Sequence, residues 1–98
     1  MEDKADNCKK AIDAYTEALK VYTLERFPMQ YAMTQNNLGN ALRTLAEVEV
    51  ERKTQNCAAA REALNAALAV FTQQRLQQYV DMVAGNLKRL EAFCAEGE

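Results

Sequence analysis

The sequence has no histidine, serine or tryptophan, and only three glycines and one proline among its 98 residues. Without histidine it lacks the commonest metal ligand and the commonest general base. Without histidine and serine it cannot form a Ser/His/Asp or Cys/His catalytic arrangement, and no glycine-rich phosphate-binding loop is present. We therefore expect a non-enzymatic protein with no catalytic residue, no cofactor and no metal ion.

The charge and the hydropathy exclude two classes of partner. The formal net charge is −2, whereas nucleic-acid binding requires a clustered basic surface. No apolar run approaches the about 20 residues that cross a bilayer, and the acidic, polar N-terminus is unlike a secretory signal. We expect a chain that binds neither nucleic acid nor membrane and that is located in the cytoplasm.

The three cysteines, Cys8, Cys57 and Cys94, form an odd set without short spacing, which is a poor disulfide framework. Each lies on an apolar helical stripe, so we interpret them as small buried hydrophobic residues in a reducing compartment. The alternative is a reactive thiol, for which Cys94 near the polar C-terminus is the candidate.

Composition and spacing indicate helix almost throughout, because good helix formers dominate and apolar residues recur every three or four positions. The four predicted helices lie near residues 4–26, 29–50, 55–75 and 78–94. Pro28 separates the first two, since it disfavours helix in the residue before it and suits the first turn of a new helix. The segment 73–78 contains no helix breaker, so the sequence permits either a turn there or one long helix from about 57 to 94.

The second predicted helix has an apolar stripe that defines one buried face. Its members are Tyr31, Thr34, Gln35, Leu38, Ala41, Leu42, Leu45 and Val48. The third predicted helix has the stripe Cys57, Ala60, Leu64, Ala67, Leu68 and Phe71. The stripe of the last one contains Tyr79, Met82, Val83, Leu87, Leu90 and Phe93.

An internal repeat appears when the chain is shifted by 49 residues. Identical pairs include Cys8/Cys57, Ala11/Ala60, Ala14/Ala63, Ala18/Ala67, Leu19/Leu68, Val21/Val70 and Asn37-Leu38/Asn86-Leu87. Matches at small and large core positions with one fixed period are typical of stacked helix pairs.

These residues resemble the tetratricopeptide repeat, and the stretch 31–42 resembles its longer-period bacterial variants. The resemblance covers residues 8–93 and rests on a Leu-Gly pair followed by a large apolar residue, and on spaced alanines with bulky residues between and after them. The positions are Leu38, Gly39 and Leu42, then Ala60, Leu64, Ala67 and Leu68. The chain departs from the family pattern in two respects. Its period is 49 residues, whereas that of the family is usually about 34, and Lys88 stands where a glycine is expected.

The resemblance implies an all-α fold in which antiparallel helix pairs stack as a short right-handed solenoid of about four helices. Residues 1–98 would form this single domain. Small side chains mark the positions where neighbouring helices approach closely, so we expect close helix crossings at Gly39 and Ala67.

The resemblance also implies a protein–protein interaction or scaffold module that binds a peptide or protein through a groove. This groove would be lined by the first helix of each pair, which corresponds here to the second and the last predicted helix. Asparagines and arginines bind a peptide backbone or a carboxylate, and methionines adapt to apolar contacts. The candidate partner-binding residues are Met33, Asn36, Asn40, Arg43, Glu47 and Arg89, with Met29, Met82 and Gly85 on the same expected face. The alternative is a merely solvated face on a structural piece of a longer solenoid, without a ligand of its own.

Self-association is a further expectation. The first helix resembles the second half of a repeat and the last resembles a first half, so each lacks its pairing helix and leaves apolar surface exposed. Besides its main stripe the last helix also shows Val80, Ala84 and Cys94, so apolar atoms lie on more than one side. The breaker-free segment 73–78 also offers a route to domain swapping. We expect a homodimer or a larger assembly.

Overall fold

The computed structural model describes residues 3–95, and this part of the chain consists of four α-helices and one short 3-10 helix, without a β-strand. The helices are α1 Lys4–Val21, α2 Pro28–Val48, α3 Lys53–Gln73 and α4 Gln77–Ala95. The 3-10 helix, Val50–Arg52, connects α2 to α3. The prediction of an all-α chain with four helices is confirmed.

Helix α1 ends at Val21, several residues before the predicted end near residue 26. Its start is capped as a short carboxylate permits, since Asp3 accepts a hydrogen bond from the backbone N–H of Asp6 at 2.8 Å. Beyond Val21 the chain turns, and the rings of Tyr22 and Phe27 pack edge to face at 5.7 Å. The turn ends at Pro28, which occupies the first turn of α2 as predicted.

The breaker-free segment contains a turn, so α3 and α4 are two helices. Arg75 adopts a left-handed conformation with φ of 59°. The N–H of Leu76 donates to the carbonyl of Phe71 at 3.0 Å, and that of Arg75 to Thr72 at 3.1 Å. These two bonds form a Schellman motif, which normally has glycine at the left-handed position. An arginine fills that position here, which is why the sequence gives no sign of the turn.

The helices pack chiefly against their neighbours in sequence. Helix α2 packs on both α1 and α3, and α4 packs on α3 with a narrow additional contact to α2. Such a sequential order is compatible with stacked helix pairs.

The core centres on α3. The largest side chains with no more than a trace of exposure are Leu64, Phe71, Val83 and Leu90. The predicted stripe of α3 is confirmed, because five of its six members are fully or almost fully buried, namely Cys57, Ala60, Leu64, Ala67 and Phe71.

The contact between α2 and α3 depends on small side chains. A Cβ atom added to Gly39 would lie 2.6 Å from Cγ of Leu64 and 3.2 Å from the carbonyl oxygen of Ala60. The expected close crossing at Gly39 is therefore confirmed. Ala32 and Ala46, each seven residues from Gly39 and so on the same side of α2, are also buried. The predicted stripe of α2 describes one buried face and does not include this side. Helix α2 has more than one buried side because it packs on both α1 and α3.

Candidate functional site: a basic cleft between α2 and α4

An open cleft of about 420 Å³ lies between α2 and α4. Helix α2 contributes Arg43 and Glu47, and α4 contributes Arg89, Ala92 and Phe93. These two helices are not neighbours in sequence, and they lie side by side because both are in contact with α3. The cleft is thus a product of the tertiary fold.

Two buried asparagines join α2 to α4 next to this cleft. Nδ2 of Asn86 donates a hydrogen bond to Oδ1 of Asn36 at 2.9 Å, and both residues are buried. Oδ1 of Asn86 in turn accepts a hydrogen bond from Nη2 of Arg89, one helical turn further on. The pair therefore satisfies polar atoms inside the core and orients the guanidinium of Arg89.

The guanidinium group of Arg43 is less completely hydrogen-bonded. Its Nε lies 3.6 Å from Oε1 of Glu47, which is close enough for an ion pair but too long for a hydrogen bond. Among the described residues this buried Nε has no hydrogen-bond partner. A desolvated charged donor without an acceptor is costly, so an anionic acceptor bound to this guanidinium would be stabilising.

The cleft is basic although the whole chain is acidic. Its lining contains two arginines and one glutamate. At the same end, Nζ of Lys53 lies 4.5 Å from the ring centroid of Phe93, which is a cation–π distance. The arrangement combines two guanidinium groups with an aromatic ring, a combination suited to a ligand that carries a carboxylate next to an apolar group.

The structure brings together three of the six candidate partner-binding residues, Arg43, Glu47 and Arg89, and these line the cleft. Asn36 differs from the expectation of a groove residue. It is only 4% exposed and its carboxamide oxygen is already engaged by Asn86, so we assign it a structural role.

The remaining candidates lie elsewhere on α2. Met33 borders a separate surface groove with Met29 and Tyr22, near the α1–α2 turn. Asn40 borders another groove, between α1 and α2, together with Cys8. The six residues therefore do not form one continuous surface, because α1, α3 and α4 cover different sides of α2.

Several residues of the site were not identified from the sequence. Asn86 had a signal, since the repeat aligns it with Asn37, but its hydrogen-bond partner lies 50 positions away and only the fold reveals it. Phe93 was assigned to the apolar stripe of the last helix, and it is half-buried at the edge of the cleft.

The cysteine interpretation is wrong for two of the three residues. Cys57 and Cys94 form a disulfide, with their Cα atoms 6.2 Å apart, and both are buried. The antiparallel pairing of α3 and α4 places the start of one helix beside the end of the other, which the spacing in sequence does not reveal. Cys8 is free and buried, and burial raises the pKa of its thiol, with Lys4 acting in the opposite direction. Cys94, the candidate reactive thiol, is paired.

Within residues 3–95, no helix is both long and apolar enough to cross a membrane. No family model matches the chain, and neither a curated protein nor a solved structure matches it.

Proposed function

We propose that this chain is a non-enzymatic protein–protein interaction module of the tetratricopeptide kind, in which helix pairs stack as a short right-handed solenoid. The repeat of 49 residues and the sequential packing of the helices support the architecture. The proposed binding surface is the cleft between α2 and α4. The observation that carries the proposal is the convergence of Arg43 and Arg89, from helices that are not neighbours in sequence, in one open cleft.

The proposed ligand is a peptide or protein segment that presents a carboxylate. Guanidinium groups bind carboxylates with charge-assisted and often bidentate hydrogen bonds. Ala92 and Phe93 provide apolar contact beside these charges. Arg89 is already oriented by Asn86, so less side-chain freedom is lost when the ligand binds.

Charge reversal tests this proposal. The chain is immobilised, a library of peptides is passed over it, and capture is compared for the parent, Arg43→Glu and Arg89→Glu. We expect each reversal to reduce capture at least about tenfold, because truncating a hydrogen-bonded charge pair at an interface commonly costs more than one power of ten in affinity.

Arg26→Glu is the matched control, since Arg26 is exposed in the α1–α2 turn and does not line the cleft. Circular dichroism shows whether each variant keeps its helices. Capture that survives both reversals in folded protein would show that the cleft is not the binding surface.

A second candidate function is a purely structural piece of a longer solenoid. Apolar side chains are exposed at the end of α1 and in the following turn, where Val21 is 62% exposed and Leu24 49%. On α4, Gly85 and Leu87 border an open groove. Under this alternative, association with a neighbouring helix pair is lost with Val21→Glu or Leu24→Glu and is unaffected by reversals in the cleft.

The cellular location of the chain can be tested through its disulfide. The cytoplasmic expectation came from the lack of a membrane-spanning run and of a secretory signal, and it was accompanied by an expectation of reduced cysteines, whereas structural disulfides persist mainly in oxidising compartments. The bond between Cys57 and Cys94 therefore does not support it. Trapping thiols in intact cells with a membrane-permeant alkylating agent, followed by mass spectrometry, measures whether this bond exists where the chain resides.

A further inference from the structure

Helix α4 is attached to the rest of the molecule chiefly through α3, with the hydrogen bond between Asn86 and Asn36 as a smaller contact to α2. Val83 and Leu90 are buried in the shared core, and the rings of Phe71 and Tyr79 stack at 5.0 Å. An ion pair joins Nε of Arg61 to Oε1 of Glu91 at 2.5 Å. Apart from the disulfide, the covalent link between the two helices is the turn at residues 74–76. If the turn opens, a second copy of the chain supplies an identical surface for each of these contacts.

The turn that holds the hairpin closed is unfavourable for its sequence. Arg75 is left-handed at φ of 59°, a conformation that crowds the Cβ of any residue other than glycine. Residues 73–78 contain neither glycine nor proline. Straightening the turn would therefore remove a strained residue from each chain. It would convert residues 53–95 into one continuous helix about 65 Å long, at 1.5 Å per residue.

The cysteines lie at the opposite end of the hairpin from this turn. Cys57 is in the first turns of α3 and Cys94 is next to the end of α4. Because the hairpin is antiparallel, two straightened chains that pair α3 with α4 would place Cys94 of each copy beside Cys57 of the other.

We propose that two copies of this chain exchange α4, so that each α4 packs on the α3 of the other copy, and that two interchain Cys57–Cys94 disulfides close the dimer. This dimer goes beyond the proposed function, since it does not depend on a ligand in the cleft.

The disulfides change partner without net oxidation. A dithiol reductant or glutathione gives two electrons and two protons to each intrachain bond, which releases two cysteine thiols and forms one disulfide of the reductant. After α4 has been exchanged, that disulfide accepts two electrons and two protons from Cys57 of one chain and Cys94 of the other. The redox buffer is regenerated, and two intrachain bonds have become two interchain bonds.

Isotope mixing of the whole chain tests the exchange. Equal amounts of unlabelled and heavy-isotope-labelled protein are incubated at millimolar concentration in a glutathione redox buffer, alkylated, and separated by size. Trypsin then releases Cys57 in residues 54–61 and Cys94 in residues 90–98. We expect a dimer fraction in which half of the Cys57–Cys94 linked peptides join a labelled to an unlabelled piece, as random pairing requires. Absence of a dimer, or linked peptides that always carry the same label, would overturn the proposal.

Substitution at the turn provides a second and independent measurement. Arg75→Gly relieves the left-handed residue in the monomer and weakens the straight helix of the dimer. We therefore expect it to lower the dimer association constant at least about tenfold, since both chains of the dimer contribute.

Arg75→Ala is the matched control, because it removes the same charge but keeps both the left-handed penalty and a high helix propensity. We expect its association constant to stay within about threefold of the parent. Equal weakening by glycine and alanine would contradict a hinge at this residue.

Discussion

Gly39 and Gly85 both lie within helices, but only Gly39 lies at a helix contact. Replacing each by alanine therefore measures the packing between α2 and α3 with one methyl group. Gly39 lies where α2 crosses α3, and an added Cβ would meet Cγ and Cδ2 of Leu64 at 2.6 and 2.7 Å. Leu64 is fully buried, and the carbonyl oxygen of Ala60 at 3.2 Å prevents an easy shift of the backbone. Gly85 lies within α4, and an added Cβ there would have nothing within 4 Å.

The expected free energies follow from two effects. Alanine gains about 1 kcal/mol of helix propensity over glycine at both sites. At Gly85 nothing opposes this gain, so Gly85→Ala should be more stable than the parent by up to about 1 kcal/mol. At Gly39 overpacking costs about 1–3 kcal/mol, so Gly39→Ala should range from neutral to about 2 kcal/mol less stable. The difference between the variants isolates the overpacking cost, because propensity cancels.

Thermal unfolding followed by circular dichroism measures this difference. For a chain of this size about 1 kcal/mol corresponds to 4–8 °C, so the Tm of Gly39→Ala should lie at least about 4 °C below that of Gly85→Ala. Equal Tm values would refute the close crossing and with it the alignment of Gly39 to the small position of a repeat. The bulkier Gly39→Leu and Ala67→Leu should each be destabilising by about 1–3 kcal/mol or more, and both test the same crossings.

Two further predictions concern the junction of α4 with the rest of the chain. Reducing the bond between Cys57 and Cys94, or replacing both by alanine, should lower the free energy of unfolding by roughly 3–4 kcal/mol in dilute protein, because a loop of 37 residues is released in the unfolded chain. Urea unfolding with and without reductant measures this change. An unchanged unfolding midpoint would contradict the prediction. Asn36→Leu should lower the free energy of unfolding by about 1–3 kcal/mol, because it leaves the buried amide of Asn86 without its acceptor. Adding Asn86→Leu should recover part of this loss. A double variant that is less stable than the sum of the two single losses predicts would contradict the pairing.

Much of the helical architecture could be predicted from periodicity and composition alone. Most of the stripe of α3 was identified because its large and small apolar residues recur in phase with the helix, although Ala63 and Val70, which are also buried, lie outside it. The boundary at Pro28 was also found, since proline acts through local backbone sterics. The resemblance to the tetratricopeptide repeat, through the Leu-Gly pair at residues 38–39, indicated a close crossing at Gly39.

Features that depend on partners distant in sequence could not be predicted in the same way. The turn at Arg75 uses a residue that local preferences do not favour there. The disulfide depends on the antiparallel alignment of two helices, and the pairing of Asn36 with Asn86 depends on a contact between helices that a third helix brings together. The basic cleft was predicted only in part for this reason. Arg43, Glu47 and Arg89 fell on the expected face, while Asn36 turned inward.

The peripheral position of α1 gives the molecule an uneven resistance to local opening. Helix α1 packs on α2 alone, and Cys8 is its one buried side chain within the described residues. Helix α3, in contrast, is covered by two helices and covalently joined to α4. Amide hydrogens of α1 should therefore exchange with solvent through small openings that leave α3 intact, and their protection should be the lowest of the four helices. Proteases that require an unfolded segment would reach the bonds after Lys9 and Lys10 long before those inside α3.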